Sequence, residues 1–216
     1  MNFEILVSFV LATFALACSP GPDNIFVLTQ SLVNGRKFGL ATVYGLIAGC
    51  ILHTTLLAFG VSAILKASDR LFFAIQVFGA MYLFFLAYKV LKSDASILLS
   101  KDNVTKKTTG QLFQQGLMMN VLNPKVSIFF LAFFPGFLFS NHLDTIVQFY
   151  ILGGLFMLVS FVVFAIIAIL AGSISEKIQQ HNNIGDYLKW TQITVFVAIG
   201  IFILYTPLSS IIVSLR

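Results

Sequence analysis

Long stretches of this chain carry no charged side chain, and this feature limits the fold more than any other. Uncharged runs cover residues 38–65, 71–88, 145–175 and 190–215. Each is close to or longer than the roughly 20 apolar residues that a helix needs to span a bilayer. Only 10% of all residues are charged, against roughly a quarter in soluble chains. The chain is therefore predicted to be an integral membrane protein, which excludes a soluble enzyme, a nucleic-acid-binding module and a secreted disulfide-linked domain.

Apolar runs separated by polar residues predict six membrane spans. These are residues 5–33, 38–65, 71–91, 113–139, 146–171 and 190–213. A helix satisfies its own backbone hydrogen bonds in lipid, and the alternating segments of a membrane barrel are absent from the sequence. The predicted fold is therefore an all-α integral membrane protein with six transmembrane helices. Residues 5–17 also resemble a signal peptide, but Glu4 and the lack of early Lys or Arg favour a retained span.

Positive charges flank these spans unevenly. When alternate loops are assigned to opposite sides, nine Lys and Arg residues fall on one side and three on the other. The nine are Arg36, Lys37, Lys89, Lys92, Lys101, Lys106, Lys107, Lys177 and Lys189, and the three are Lys66, Arg70 and Arg216. Because cytoplasmic loops carry the positive excess, both termini are predicted to lie outside the cytoplasm. The basic charge reflects topology, and no nucleic-acid partner is expected.

A polar stretch divides the chain into two halves. Residues 1–92 form the predicted first three-helix repeat, residues 93–112 a polar cytoplasmic linker, and residues 113–216 the second three-helix repeat. Because each half has three spans, the halves enter the membrane from opposite sides. Any similarity between them is therefore that of inverted repeats.

Proline motifs interrupt the first and fourth spans. The first motif is Ser-Pro-Gly-Pro-Asp-Asn at residues 19–24, and the second is Asn-Pro-Lys at residues 123–125. Proline cannot donate the helical hydrogen bond. One straight helix over residues 5–33 would extend about 43 Å, beyond a hydrocarbon core of about 30 Å. Both spans are therefore predicted to break, at Pro20, Gly21, Pro22 and Pro124.

The two motifs occupy corresponding positions, and each carries one charge. An offset of 102 residues superposes Pro22 on Pro124 and Asp23 on Lys125. A charge at the centre of a lipid-facing helix costs at least roughly 2.5 to 3.5 kcal/mol, so both charges must face protein or water. They form either a salt bridge that ties the first span to the fourth or part of a substrate pathway. Matched charged breaks in two halves favour the pathway.

Helix-end chemistry gives each charge a candidate partner. Asn123 is a suitable N-cap and Pro124 suits the first helical position, which places Lys125 in the first turn of a half-helix. A cation is unfavourable at this positive end of the helix dipole, so Lys125 needs an anion, either Asp23 or a substrate carboxylate. Asp23 could accept a substrate ammonium or a proton. Together the two charges match the ends of a zwitterionic amino acid.

Further polar and small residues lie within the spans. Asn24 and Asn120 flank the breaks and either line the cavity or bond neighbouring helices. His53 in the second span is either a core histidine bonded to a neighbouring helix or a proton carrier. Gly45 and Gly49 lie one helical turn apart and predict a surface on which another helix packs closely.

Motifs for catalysis are missing from the sequence. It contains no HExxH, no glycine-rich phosphate loop and no cluster of Cys, His and carboxylate residues at metal-ligand spacing. We therefore expect no enzymatic activity, no bound cofactor, no metal site and no use of ATP. Transport would be driven by an ion gradient or by the substrate's own gradient.

With its two proline motifs, this sequence resembles the LysE/RhtB family of bacterial amino-acid exporters. The resemblance rests on the Ser-Pro-Gly-Pro-Asp run at residues 19–23, the Asn-Pro-Lys at residues 123–125, the length and the six spans. The resemblance covers essentially the whole chain. It implies a multi-pass protein of the bacterial inner membrane that exports a small amino acid or a derivative. It also implies coupling to proton influx, with the proton gradient as the source of energy.

Two other functions stay open at this point. One is export of a metal cation, as in more distant relatives of this family, although a single intramembrane acid offers few of the ligands that a cation requires. The other is a membrane scaffold or assembly subunit without transport activity. The sequence also leaves open which amino acid is carried and whether the chain forms a homodimer. Membrane lipid is the remaining expected partner.

Overall fold

Every regular element in the described part of the chain is helical. The computed structural model describes residues 2–93, 107–174 and 184–214. Its principal helices are α1 (Phe3–Cys18), α2 (Pro22–Asn34), α3 (Arg36–Leu56), α4 (Ser62–Ala67), α5 (Asp69–Lys92), α6 (Thr109–Val121), α7 (Pro124–Phe133), α8 (Thr145–Ile169) and α9 (Ile184–Ser214). A π-helical turn, Leu57–Val61, joins α3 to α4, and a 3-10 turn, Phe134–Phe137, follows α7. The all-α prediction is confirmed for these residues.

The helices agree with the predicted spans. Four helical segments are long and apolar enough to cross a membrane alone, namely Arg36–Leu65, Arg70–Lys92, Thr145–Ile169 and Gly185–Tyr205. Helices α1 and α2 form a further candidate span with a bend of 58°. Helix α6 and the segment Pro124–Phe137 form another, with a bend of 50°. Both predicted breaks are confirmed, and the described residues contain four candidate spans, or up to six candidates when each bent pair counts as one.

The polar stretch between the halves is described only at its ends. Residues 94–106, which make up most of the predicted linker, lie outside the described residues. Helix α6 begins at Thr109, four residues before the predicted start of the fourth span at residue 113. The reason is a capping box, in which the side chains of Thr108 and Gln111 each accept a hydrogen bond from the other residue's backbone N–H. Polar capping residues thus extend the helix beyond its apolar part.

Phenylalanine side chains pack the centre of the bundle around α7. The ring centroids of Phe129 and Phe133 lie 4.3 Å apart, and those of Phe130 and Phe134 lie 4.2 Å apart. Phe9 of α1 meets Phe134 edge-on, with centroids 4.9 Å apart. All five rings are buried, and each such pair contributes about 0.5–1.5 kcal/mol beyond the burial of its area. Because α7 is held by these rings, the position of the break at its N-terminus is well defined.

Glycines let α3 and α6 cross with their backbones in contact. A Cβ atom added at Gly45 would collide with the carbonyl oxygen of Phe113, and one added at Gly116 would collide with the carbonyl oxygen of Thr42. Gly49 lies directly under the side chain of Asn120. The predicted close-packing surface on the second span is therefore confirmed, and its partner is the helix that precedes the second break.

Replacing Gly45 by alanine should lower the melting temperature of the detergent-solubilised protein. The new methyl group meets backbone atoms of α6, which cannot rotate away, and overpacking of this kind costs about 1–3 kcal/mol. Gly154→Ala on α8 is the matched control, since nothing lies within 4 Å of its added methyl group and alanine is the better helix former. Equal melting temperatures for the two variants would contradict the close crossing.

Candidate functional site

The break in the second bent pair is organised by Asn123. Its Oδ1 accepts a hydrogen bond from the backbone N–H of Lys125 at 3.1 Å, and Pro124 is the first residue of α7. This matches the N-cap arrangement predicted from the sequence. Lys125 therefore lies in the first turn of α7, at the positive end of the helix dipole.

The break in the first bent pair is bridged by Asn24. Helix α1 ends at Cys18, and α2 begins at Pro22 with Asp23 in its first turn. The Nδ2 of Asn24 donates a hydrogen bond to the carbonyl oxygen of Ala17 at 2.8 Å. That carbonyl lies in the last turn of α1, where helical partners are missing. Asn24 thus ties the two half-helices together.

The two breaks lie against each other. The Nδ2 of Asn123 donates a hydrogen bond to Oδ2 of Asp23 at 3.1 Å. A Cβ atom added at Gly21 would lie only 3.6 Å from Nζ of Lys125. Asp23, Asn123 and Lys125 are each partly buried. The structure therefore brings both charged motifs, about 100 residues apart in the chain, to one place in the bundle.

Asp23 interacts with the ammonium group of Lys125 electrostatically, but the two groups do not form a close ion pair. Among the contacts of the described residues, the ammonium forms no ion pair and donates no hydrogen bond. Its Nζ lies instead 5.0 Å from the ring centroid of Phe196, a residue of α9 that is 1% exposed. The direct salt bridge between Asp23 and Lys125, one of the two sequence-based alternatives, is therefore not formed here. The amide of Asn123 contacts the carboxylate in its place.

His53 and Asn120 meet at the end of α6. The Nε2 of His53 donates a hydrogen bond to the carbonyl oxygen of Asn120 at 3.1 Å. The side-chain amide of Asn120 contacts the sulfur of Cys50 at 3.6 Å. Of the two alternatives for His53, the hydrogen bond to a neighbouring helix is present, while a proton-carrying role stays a prediction. Both residues secure the α6 end of the break against α3.

Comparison with known proteins adds an independent observation. The family model described as LysE type translocator matches residues 14–206, a range that includes both breaks and Phe196. The chain belongs to the LysE type translocator family. It is similar to the leucine efflux protein of Salmonella typhimurium strain LT2, with 30% identity over 157 residues that cover 71% of this chain and 73% of the relative. It is also similar to the homoserine/homoserine lactone efflux protein of that strain, with 30% identity over 179 residues that cover 83% and 86%. No solved structure gives a significant match.

The family resemblance inferred from the two proline motifs is thus confirmed for this LysE type translocator. Its relatives are named as efflux proteins, and its apolar helices are long enough to cross a membrane. These findings indicate a multi-pass membrane transporter rather than an enzyme.

Two residues at the translocator's site, Phe196 and Ser19, were not predicted from the sequence. Phe196 is one of 24 phenylalanines, and nothing in its sequence position distinguishes it from the others. Ser19 is fully buried beside the first break, and its hydroxyl has no hydrogen-bond partner in the part of the chain that the structure describes. The position of Ser19 in the Ser-Pro-Gly-Pro-Asp run could have indicated that it lies at the site. Phe196 is identified as a site residue only by the packing of α9, which places its ring under Lys125.

Proposed function

We propose that this translocator exports an amino acid or a derivative across the bacterial inner membrane, by proton-coupled antiport with alternating access. The observation that carries the proposal is the ammonium of Lys125, which forms no close ion pair with any described residue although it lies where two half-helix N-termini meet. An unpaired charge is costly inside a membrane protein, and the positive ends of helices attract anions. A substrate carboxylate supplies the missing partner.

Asp23 provides the opposite end of the proposed site. Its carboxylate accepts a hydrogen bond from Asn123, which leaves lone pairs for a substrate ammonium. An amino acid would thus neutralise both charges at once. The relatives named for efflux of leucine and of homoserine or its lactone support this substrate class. Asn24, Asn120 and His53 hold the broken helix ends around the site.

Proton coupling follows from the same two charges. When the substrate ammonium leaves, Asp23 loses its cationic partner, and a proton from the outside takes that place. One amino acid moves outward as a proton moves inward. The proton gradient is then the source of energy, and no bound cofactor is required.

We assign residues 1–92 and 113–216 to two inverted three-helix repeats, joined by the cytoplasmic linker 93–112, with both termini outside. What supports this assignment is that each half opens with a bent pair, with bends of 58° and 50°. The excess of Lys and Arg on one side supports the orientation. In such an arrangement one repeat rocks against the other around a fixed central site.

Transport by the purified protein tests the proposal. Proteoliposomes loaded with labelled leucine, homoserine or alanine and diluted into more acidic buffer should lose label faster than protein-free vesicles. Proton uptake into the vesicles should depend on the amino acid inside. No amino-acid-dependent proton flux with any of these substrates would contradict the proposal and would favour the scaffold alternative.

A growth test identifies the side chain that is carried. Bacteria that overexpress the protein should become resistant to toxic amino acids or dipeptides whose products it exports, and the spectrum of resistance gives the substrate. Resistance to divalent cations alone would favour the metal-cation alternative. Within the described residues, no three His, Cys, Asp or Glu side chains form a group that could hold a metal ion.

A further inference from the structure

We propose that Phe196 is a positioning residue, whose ring holds the Lys125 ammonium apart from Asp23 while no substrate is bound. This inference rests on the proposed function, because that function assigns the two charges to the two ends of an amino-acid substrate. It adds a third element to the site, on a helix that neither proline motif includes.

The Lys125 ammonium lies over the ring of Phe196. Nζ of Lys125 lies 5.0 Å from the ring centroid of Phe196, within the distance of about 6 Å over which an aromatic face attracts a cation. The ring is 1% exposed and belongs to the central hydrophobic cluster. It therefore cannot follow the lysine and acts as a fixed contact point for the ammonium.

Asp23 is close enough to the Lys125 ammonium to interact with it electrostatically, and it therefore competes with the ring for this group. A Cβ atom at Gly21 would lie 3.6 Å from Nζ of Lys125, and Gly21 precedes Asp23 by two residues. The lysine side chain is a flexible four-carbon stem. An ion pair in such a low-dielectric setting would be strong, and a zwitterionic substrate would have to break it before binding.

Two contacts oppose that ion pair. The amide of Asn123 donates to Oδ2 of Asp23 at 3.1 Å, and the ring of Phe196 holds the ammonium. A cation–π contact is weaker than a charge-assisted hydrogen bond to a carboxylate. Because the Asn123 amide already occupies one carboxylate oxygen of Asp23, a free substrate carboxylate competes for the ammonium better than Asp23 does, and it can take the ammonium from the ring.

Phe196→Leu tests this role, because leucine keeps an apolar side chain and removes the aromatic face. If the empty site then collapses into the ion pair, fewer molecules are competent to bind, and the apparent affinity falls by that fraction. We expect KM for amino-acid export to rise about tenfold while the maximal rate stays near that of the wild type. Phe196→Tyr retains the ring face and should restore KM to within about twofold of the wild-type value.

Phe149→Leu is the matched control, since Phe149 is also fully buried but lies on α8, and no cation of the described residues lies over its ring. Its KM should equal that of the wild type. An unchanged KM in Phe196→Leu would overturn the proposal, as would equal losses of maximal rate in both leucine variants with no change in KM, because that result indicates packing alone. Absence of export by the wild-type protein in the same assay would instead contradict the proposed function.

A spectroscopic measurement covers the case in which Phe196→Leu does not fold. The chain has one tryptophan, Trp190, which is 58% exposed, so Trp190→Phe combined with Phe196→Trp places the only indole under the lysine. Its emission should change when leucine is added, because the carboxylate draws the ammonium off the ring. An emission spectrum that leucine leaves unchanged, in a preparation that still exports leucine, would overturn the proposal.

Discussion

Replacing Lys125 by methionine should abolish amino-acid export and leave the protein folded. Methionine keeps a similar length and removes the charge, so a substrate carboxylate would enter the site without a partner. Removal of one member of a buried charge pair costs about 3–5 kcal/mol, which corresponds to a loss of affinity of about a hundred- to several thousandfold. Efflux of labelled leucine from proteoliposomes measures this effect directly.

The Lys125→Met variant should fold normally, because the lost ammonium does not stabilise the folded protein. Its ammonium forms no ion pair among the described residues and lies at the positive end of the α7 dipole. Loss of that charge should therefore leave the melting temperature equal or slightly higher. Lys107→Met is the control, since Lys107 precedes α6 by two residues and donates a hydrogen bond to Gln115, outside the site. Efflux at the wild-type rate by Lys125→Met would refute the assignment of Lys125 to the substrate carboxylate.

Asp23→Asn should reduce proton-driven export to the level of protein-free vesicles. Asparagine has nearly the same shape, and its amide oxygen can still accept the hydrogen bond from Asn123 that Asp23 accepts at 3.1 Å. It can neither bind a proton nor pair with a substrate ammonium as a carboxylate does. The expected result is a folded protein in which an imposed pH gradient no longer drives amino-acid movement.

The control for Asp23→Asn is Asp144→Asn. Asp144 is the N-cap of α8 and accepts a hydrogen bond from the backbone N–H of Ile146 at 2.8 Å, a role that asparagine fills equally well. Its export should match that of the wild type. If Asp23→Asn shows wild-type proton-driven flux in proteoliposomes, Asp23 is not the coupling residue and the proposed antiport mechanism is wrong.

The bent pairs were predictable because their causes are local. Proline at Pro22 and Pro124 interrupts the backbone hydrogen bonding of its own helix, whatever surrounds it. The N-cap of Asn123 on Lys125 likewise joins residues two positions apart. The predicted start of the fourth span was four residues late, since apolar length marks the membrane-embedded part of a helix, whereas the capping box of α6 extends it into polar sequence.

The roles of the polar side chains within the spans could not be predicted from the sequence. His53 and Asn120 were both predicted to bond a helix or to serve transport, and their residue types allow either. Their hydrogen bond joins positions 67 residues apart. It depends on the close crossing of α3 and α6, which in turn depends on the positions of Gly45 and Gly116. The spacing of the glycines in the second span predicted a close-packing surface, but it did not predict that α6 packs there.

Apolar length and proline chemistry act within one segment of the chain. The helical class with apolar spans, the two broken spans and the family could therefore be inferred from the sequence. Two contacts are visible only in the folded chain: Asp23 contacts Asn123 rather than Lys125, and the lysine lies over Phe196. These contacts join different helices, and their distances depend on how every neighbouring side chain packs. An ion pair and two separated charges are equally compatible with the same residues in the chain, and packing selects between them.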